Sequence, residues 1–457
     1  MALKIAIIGA GSLFWSSTLI HDLCLTPEMR GSKIYLMDVD KERLDTIYRF
    51  AVRYSSEVRF DIKFYKTTDR REAIRDSDFV LNVAMAGGHQ YYEKMRTISE
   101  KFGYFRGINS VEWNMVSDYH TIWGYYQFKL AMDIAEDVES LSPSSWLIQL
   151  SNPVFELTTL IGRQLRLNLV GVCHGHQDYR DIVGSLRLNE DDMEVESIGL
   201  NHTIWMTRFN KGKEDAYPIF NEWIGKEYQS FYKDWLKASK SNPLGTQMSP
   251  AMVDMYKEYG LVPVGDTVRS GTWKYHRNLK TKMKWYGRAG GFDSPEGWKH
   301  YLEMEDRSIG MIKNALENTA APLYRLFPAG ISTEPVVPLI TSLSSDAGSR
   351  HQVNVMNKGK IDGIPDDVAV EVPALLNRKG VHAENGKKLP GRILNFSIRP
   401  RVQRMEWALE AFLEGGKETM IEWLMTDPRT KNDEQAEQVV NALLLLDGNE
   451  SMAKHFR

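Results

Sequence analysis

Leu3-Lys4-Ile5-Ala6-Ile7-Ile8-Gly9-Ala10-Gly11-Ser12 is the stretch that decides the fold. It is a strand-length, isoleucine-rich run that stops at glycines, and the segment from Leu13 to Leu23 behind it is compatible with a helix. Strand, glycine turn and helix in that order place free backbone N–H groups at a positive helix end, where a pyrophosphate can sit. The third glycine of the usual fingerprint is absent, because Phe14 stands at that spacing. Working outward, Ile34 to Met37 reads as a second strand ending in Asp38, whose carboxylate can accept hydrogen bonds from a ribose diol. Asp40 can instead cap the helix that begins around Lys41. An acidic residue at position 38 favours NAD over NADP.

The alternation of strand and helix continues. Ile62 to Tyr65 reads as a third strand, Arg71 to Arg75 as helical, and Phe79 to Val83 as a fourth strand emptying into Ala84-Met85-Ala86-Gly87-Gly88. Small residues there leave room for the adenosine-ribose half of a dinucleotide, so Gly9, Gly11, Ser12, Asp38 and Gly87 form the candidate cofactor set. Trp146 to Leu150 is a fifth strand running into Ser151-Asn152-Pro153, and Leu169 to Val172 a sixth running into Cys173-His174-Gly175-His176. About six strands interleaved with helices predict an α/β fold built on a doubly wound parallel sheet. Cys173 and the histidines behind it bring soft and borderline metal ligands to a sheet edge. A core cysteine followed by loop histidines is the plainer alternative, and the motif by itself leaves both open.

Between the fourth and fifth strands lies an aromatic insertion holding Tyr104, Phe105, Trp113, Tyr119, Trp123, Tyr125, Tyr126 and Phe128. Aromatics from Trp123 onward are expected in a core, and Asp118 after Ser117 is expected at a helix start, as a first-turn carboxylate or a catalytic acid. Past Cys173 the pattern loosens. Met193 to Leu200 reads as a strand leading to Asn201-His202-Thr203 and an antiparallel partner. Ser249 to Tyr259 reads as a helix capped by Ser249, and Gly265 to Arg269 as a turn in which Asp266 and Arg269 can form a surface ion pair. Asn354 to Glu371 reads as a hairpin, and Met405 to Leu413 and Ala436 to Leu446 as terminal helices. The expected division is 1–200, a dinucleotide-binding domain, and 201–457, a mixed α+β domain for substrate, metal and oligomerisation.

A net charge of −3 from 57 basic and 60 acidic residues offers no field suited to nucleic acid or an anionic membrane, so the expected partner is a small molecule. Only two cysteines, Cys24 and Cys173, argue against a disulfide framework and for a reducing, cytoplasmic setting. The first apolar run is too short for a signal peptide or a spanning helix.

Gly9-Ala10-Gly11-Ser12, Ser151-Asn152-Pro153, Cys173-His174-Gly175-His176, Asn201-His202 and Gly265-Asp266-Thr267-Val268-Arg269, with Trp273 and Tyr275-His276 behind it, together resemble glycoside hydrolase family four. Asn357-Lys358-Gly359 and Val370-Glu371-Val372-Pro373 extend the resemblance over nearly the whole chain. It implies a Rossmann-like, lactate/malate dehydrogenase-like architecture, usually a homodimer or homotetramer, that cleaves glycosides with NAD and a divalent metal, usually Mn2+. Such enzymes stand outside the two-carboxylate glycosidase scheme. The implied chemistry takes a hydride from sugar C3, removes the acidified C2 proton, expels the aglycone, adds water and returns the hydride. Cys173 and His202 are the implied metal ligands, Asp118 the acid at the leaving group and Asp266 the base at C2, with Tyr275 and Tyr256 as substitutes. Asn152, His174 and Arg269 are implied to hold sugar hydroxyls.

Cys-His-Gly resembles the α-glucuronidase branch of that family. Gly175 removes a carboxylate that would repel a sugar C6 carboxylate, while His176 and Arg269 can supply positive charge. The expected substrate is therefore an α-glucuronide. An α-glucoside or α-galacturonide is the alternative within the family, and His174 disfavours phosphorylated sugars. A net dehydrogenase of the 2-hydroxy acid kind is the alternative outside it.

Overall fold

Lys4–Ile8 forms β1, and its side chains divide the molecule: Ile5 and Ile7 join one buried cluster, Ala6 and Ile8 another. That period of two is what a strand buried on both faces requires. The first cluster takes Leu19, Ile20 and Leu23 from α1 (Leu13–Leu25) and Leu44, Ile47 and Phe50 from α2 (Lys41–Glu57). The second takes Phe128, Ala131 and Ile134 from helix Tyr125–Leu141 and Phe155, Leu157 and Leu160 from helix Val154–Gln164. Helices thus cover both faces of one sheet. The computed structural model describes residues 2–106, 124–270, 272–318 and 320–456.

Around β1 lie β2 (Lys33–Met37), β3 (Lys63–Thr67), β4 (Phe79–Asn82), β5 (Trp146–Gln149) and β6 (Asn168–Gly171), all parallel, in the order β3-β2-β1-β4-β5-β6. This is the doubly wound arrangement predicted from the sequence, and its strand order reverses between β1 and β4, which opens a crevice at their carboxyl ends. The expected strands fall within a residue or two of the observed ones.

The second half of the chain extends the same sheet with antiparallel strands. These are β7 (Met193–Leu200), β8 (Thr203–Lys211), with the short β9 (Glu214–Asp215) at its edge, β10 (Val262–Val264), β11 (Ser349–Met356) and β12 (Ala369–Asn377), with β13 (Gly380–Ala383) beside it. The seams are narrow. Gly171 of β6 pairs with Asn354 of β11, and Glu371 of β12 pairs with Gly199 of β7. Asn354 and Glu371 are themselves cross-strand partners in the expected hairpin, so Gly171, Asn354, Glu371 and Gly199 form one row across the sheet.

One expectation changes, and another falls on residues outside those described. Ser249 does occupy the cap position of helix Pro250–Tyr259, but its hydroxyl makes no capping bond and has no hydrogen-bond partner among the described residues. Pro250 removes one of the N–H groups such a cap would serve. Asp118, with Trp113, Tyr119 and Trp123, lies outside the described residues. Among those described, no helix is long and apolar enough to cross a membrane.

Gly9 has φ +94°, and a Cβ there would stand 2.5 Å from the Ala84 Cα and 2.6 Å from its nitrogen. Backbone cannot move aside as a flexible side chain can. Gly9→Ala should therefore cost about 1–3 kcal/mol of stability, read as a lowered denaturant midpoint; an unchanged midpoint would mean that β1 and β4 tolerate separation.

Candidate active site

The crevice between β1 and β4 is lined by the glycine turn. Gly11 N donates to Asp38 Oδ2 at 2.7 Å, and a Cβ on residue 11 would meet that oxygen at 2.6 Å. Asp40 accepts from Glu42 N and Arg43 N, both at 3.0 Å, and so caps α2. The capping duty belongs to Asp40, and Asp38 stays beside the glycine turn. Ser12 stands at the N-cap of α1 without a side-chain capping bond, and Gly87 (φ +76°) at that of helix Gly88–Lys101. Bare backbone at a helix start with a carboxylate at the end of β2 fits a dinucleotide with an unphosphorylated ribose.

Next to it, Cys173 follows β6 and His202 occupies the turn between β7 and β8. Cys173 Sγ lies 3.4 Å from His202 Nε2, and His202 Nδ1 lies 3.1 Å from Asp266 Oδ2. Asp266 accepts from Nδ1–H, which leaves the Nε2 lone pair directed at the sulfur side. Burial lowers the His202 pKa to about 4, so the ring is neutral, and burial followed by the Glu371 and Asp266 charges raises the Cys173 thiol well above its ordinary value. A thiolate and a neutral imidazole on one ion, with bonds near 2.3 and 2.1 Å, place S and N roughly 3.1–3.6 Å apart, so the observed spacing fits a shared divalent cation. Among the described residues, no group of three or more His, Cys, Asp or Glu side chains could hold a metal. A cation held by this pair would take its remaining ligands from substrate and water.

Asp266 and Arg269 are not a surface pair. Both sit on the short helix Gly265–Arg269; Arg269 is 4% exposed, donates to Asp266 from Nε at 3.1 Å and from Nη2, and reaches Asp293 at 3.2 Å. Its guanidinium lies 4.6 Å from the Phe292 ring centroid. Burial would raise the Asp266 pKa, but Arg269 and then His202 outweigh it and hold the carboxyl well below the usual range. The arrangement is a carboxylate that fixes the plane and tautomer of a buried histidine, as carboxylates do for histidines that bind metals.

His174 stacks on Trp15 of α1, with centroids 5.6 Å apart at 19°, and its Nδ1 lies 3.6 Å from Glu334. The cysteine loop is thereby fastened to the helix that leaves the glycine turn, so the two halves of the site adjoin. His176 corrects an expectation: burial lowers its pKa to about 4, so it supplies no positive charge near neutral pH. Gly175 faces the site, since a Cβ there would lie 3.8 Å from Cys173 Sγ and 3.9 Å from Asp266 N. Asn152 stands between β5 and helix Val154–Gln164. The substitute bases are engaged elsewhere, Tyr275 donating to Asp254 at 2.6 Å and Tyr256 to Asn221 at 2.8 Å.

Sequence reasoning assigned no role to Asn201, Glu371, Asp178 or Asp293. Asn201 donates to Glu371 at 3.0 Å, and burial raises the Glu371 pKa to about 7. Asp178 is likewise raised to about 7, by burial and then by Asp266. Asn201 and Glu371 were visible as motif residues, whereas nothing in the spacing singles out Asp178 or Asp293.

A model for family 4 glycosyl hydrolases matches residues 4–188, and one for the C-terminal domain of the same family matches residues 197–430. The chain belongs to glycosyl hydrolase family 4. Among family 4 relatives, an α-galacturonidase of Thermoanaerobacter italicus is 22% identical over 93% of this chain and 92% of its own length. An α-galactosidase of Bacillus subtilis is 21% identical over 96% of both chains. The structure of a 6-phospho-α-glucosidase from gut microorganisms, in complex with NAD and Mn2+, superposes with a TM-score of 0.77 at 19% identity, covering 99% of both chains. At that identity the superposition establishes the shared fold of the family.

His202 is already neutral above about pH 4, while the Cys173 thiol is protonated at neutral pH. Binding a divalent ion to this pair should therefore release the thiol proton, and the apparent Kd for Mn2+ should fall about tenfold per pH unit between roughly pH 6.5 and 8. Titration calorimetry in buffers of different ionisation enthalpy counts that proton. A pH-independent Kd would remove Cys173 from the ligand set.

Proposed function

We propose that this family 4 enzyme cleaves α-linked hexuronides, using NAD and a divalent cation, with manganese the first candidate. The observation that carries the reading is the 3.4 Å approach of Cys173 and His202 beside the β1–β4 crevice, joined to it by His174 on Trp15. When bound, the dinucleotide supplies a hydride acceptor and donor, and the cation a Lewis acid for a sugar oxygen gaining charge. Gly9, Gly11 and Ser12 would cradle the pyrophosphate and Asp38 the ribose diol, with Gly87 admitting the adenosine side. Cys173 and His202 would hold the cation. Asn152, His174 and Arg269 would hold sugar hydroxyls, the role that the family resemblance implies.

Asp266 carries the proposed base role at C2. Arg269 and His202 make it a weak base, so proton removal relies on the acidity that a C3 ketone confers on the C2–H bond. Asp118 is the proposed acid at the leaving group.

Support for a uronide comes from position 175. An acidic side chain there would enter the space beside Cys173 and Asp266, and glycine leaves that space without a further negative charge. A relative is named for an α-galacturonide, itself a hexuronide, and others for α-galactosides and α-glucosides, which are the competing neutral sugars. With NAD, Mn2+ and a thiol reductant present, aryl α-glucuronide or α-galacturonide should turn over at least about tenfold faster than aryl α-glucoside; equal or better use of the glucoside overturns the uronide reading. Solvent deuterium should appear at C2 of the product with no steady-state NADH absorbance. Stoichiometric NADH would instead identify a dehydrogenase.

Asp38→Ala should weaken NAD binding by about 1–3 kcal/mol, roughly 5- to 150-fold, through loss of charge-assisted hydrogen bonds, while Mn2+ affinity stays unchanged. Unaltered NAD affinity would exclude the ribose contact.

A further inference from the structure

His202 is a side-chain-bearing residue in left-handed backbone, φ +60°, in the hairpin turn where Leu200 pairs with Thr203. Outside glycine that conformation is disfavoured, and it persists where the surroundings over-determine it. Asn201, the residue before it, is held at both ends. Its side-chain amide donates to Glu371 Oε2 at 3.0 Å, and its carbonyl accepts from Arg401 Nη2 at 3.1 Å. Arg401 belongs to helix Arg399–Glu414, two hundred positions along the chain, and is fully buried.

A buried guanidinium needs compensation, and here the ion pair is a poor one. Glu156, also fully buried, comes no closer than 3.9 Å to Arg401 Nη2, and neither of its oxygens has a hydrogen-bond partner among the described residues. Arg401 Nε and Nη1 are likewise without one, although the guanidinium rests 5.1 Å from the Phe155 ring centroid. A charge kept for stability alone would lie fork to fork with its carboxylate. This one directs its hydrogen bond at the turn that carries His202.

We infer that Arg401 is a positioning residue for the metal site: by gripping the Asn201 carbonyl it fixes the left-handed turn that presents His202 Nε2 to Cys173. The inference rests on the metal reading of the Cys173–His202 pair. Partners one shell removed from metal ligands commonly change metal affinity 10–100-fold, and Arg401 acts at the same remove through main chain.

The test is Mn2+ affinity, read by electron paramagnetic resonance of the free ion, with NAD affinity measured on the same preparations. Glu156→Gln/Arg401→Met removes both buried charges together, so neither is left uncompensated. It should weaken Mn2+ binding about 10–100-fold with NAD affinity within about threefold of wild type, whereas Glu156→Gln alone should keep Mn2+ affinity within about threefold. Arg401→Lys, retaining the charge and a donor, should recover part of the loss. Glu156→Leu/Arg401→Leu is the second replacement should the first not fold. Wild-type Mn2+ affinity in a folded double variant overturns the inference. Cys173→Ser separates the two claims: if it binds Mn2+ as tightly as wild type, the metal reading falls and the inference with it. If it loses the ion while the double variant keeps it, only the inference falls.

Discussion

The imidazole of His202 is gripped between a carboxylate and a sulfur, and the arrangement of the site depends on that grip. Asp266 fixes the tautomer and plane of the ring, Arg269 fixes Asp266, and Asp293 and Phe292 fix Arg269. His202, Arg269 and Asp293 are buried and Asp266 is partly so, so a missing member would leave a polar group without compensation. The ligand pair is therefore held by a network anchored in several separate segments of the chain.

The sheet explains why so much anchoring is needed. Cys173 follows β6 and His202 follows β7, and β11 and β12 lie between those strands. Three strand spacings amount to roughly 14 Å, yet Sγ and Nε2 are 3.4 Å apart. The two loops must arch toward one another over the row formed by Gly171, Asn354, Glu371 and Gly199. Glycines end that row, and a Cβ on residue 171 would meet the Asn354 Cβ at 2.8 Å. Between them, Glu371 accepts from Asn201 and Asn354, so the floor under the metal pair is polar and internally bonded.

The glycine turn and the Cys173–His202 pair are separate in sequence but continuous in space. Trp15, in the first turns of α1, stacks on His174 directly after Cys173. A helix whose start suits a pyrophosphate thereby also sets the cysteine loop. The proposed reaction, which moves a hydride and polarises the same sugar, would need both groups within reach of one ring, and this contact supports that adjacency.

Much of this was legible from residue order alone. The parallel half of the sheet follows from local signals: apolar runs of strand length, glycine turns, the Asp40 cap and helix-length spacers. Periodicity and turn chemistry act over a few residues, so they can be read without the tertiary fold. Cys173 was legible as a possible ligand, though a core cysteine fits its motif as well, and His202 entered as a candidate only through the family resemblance. Long-range packing decided the rest. Asp266 and Arg269 read as a surface pair because charge spacing carries no record of burial. His176 read as a cation for the same reason, since only a buried environment makes the ring neutral. Arg401, distant in sequence from His202, gave no local sign of bonding to its turn, because that contact exists only once helix Arg399–Glu414 packs beneath the β7–β8 hairpin. Sequence by itself determined which groups were available and the alternation of strand and helix in the first half; folding decided which charges lose water and which face one another, because desolvation and proximity are properties of the packed chain.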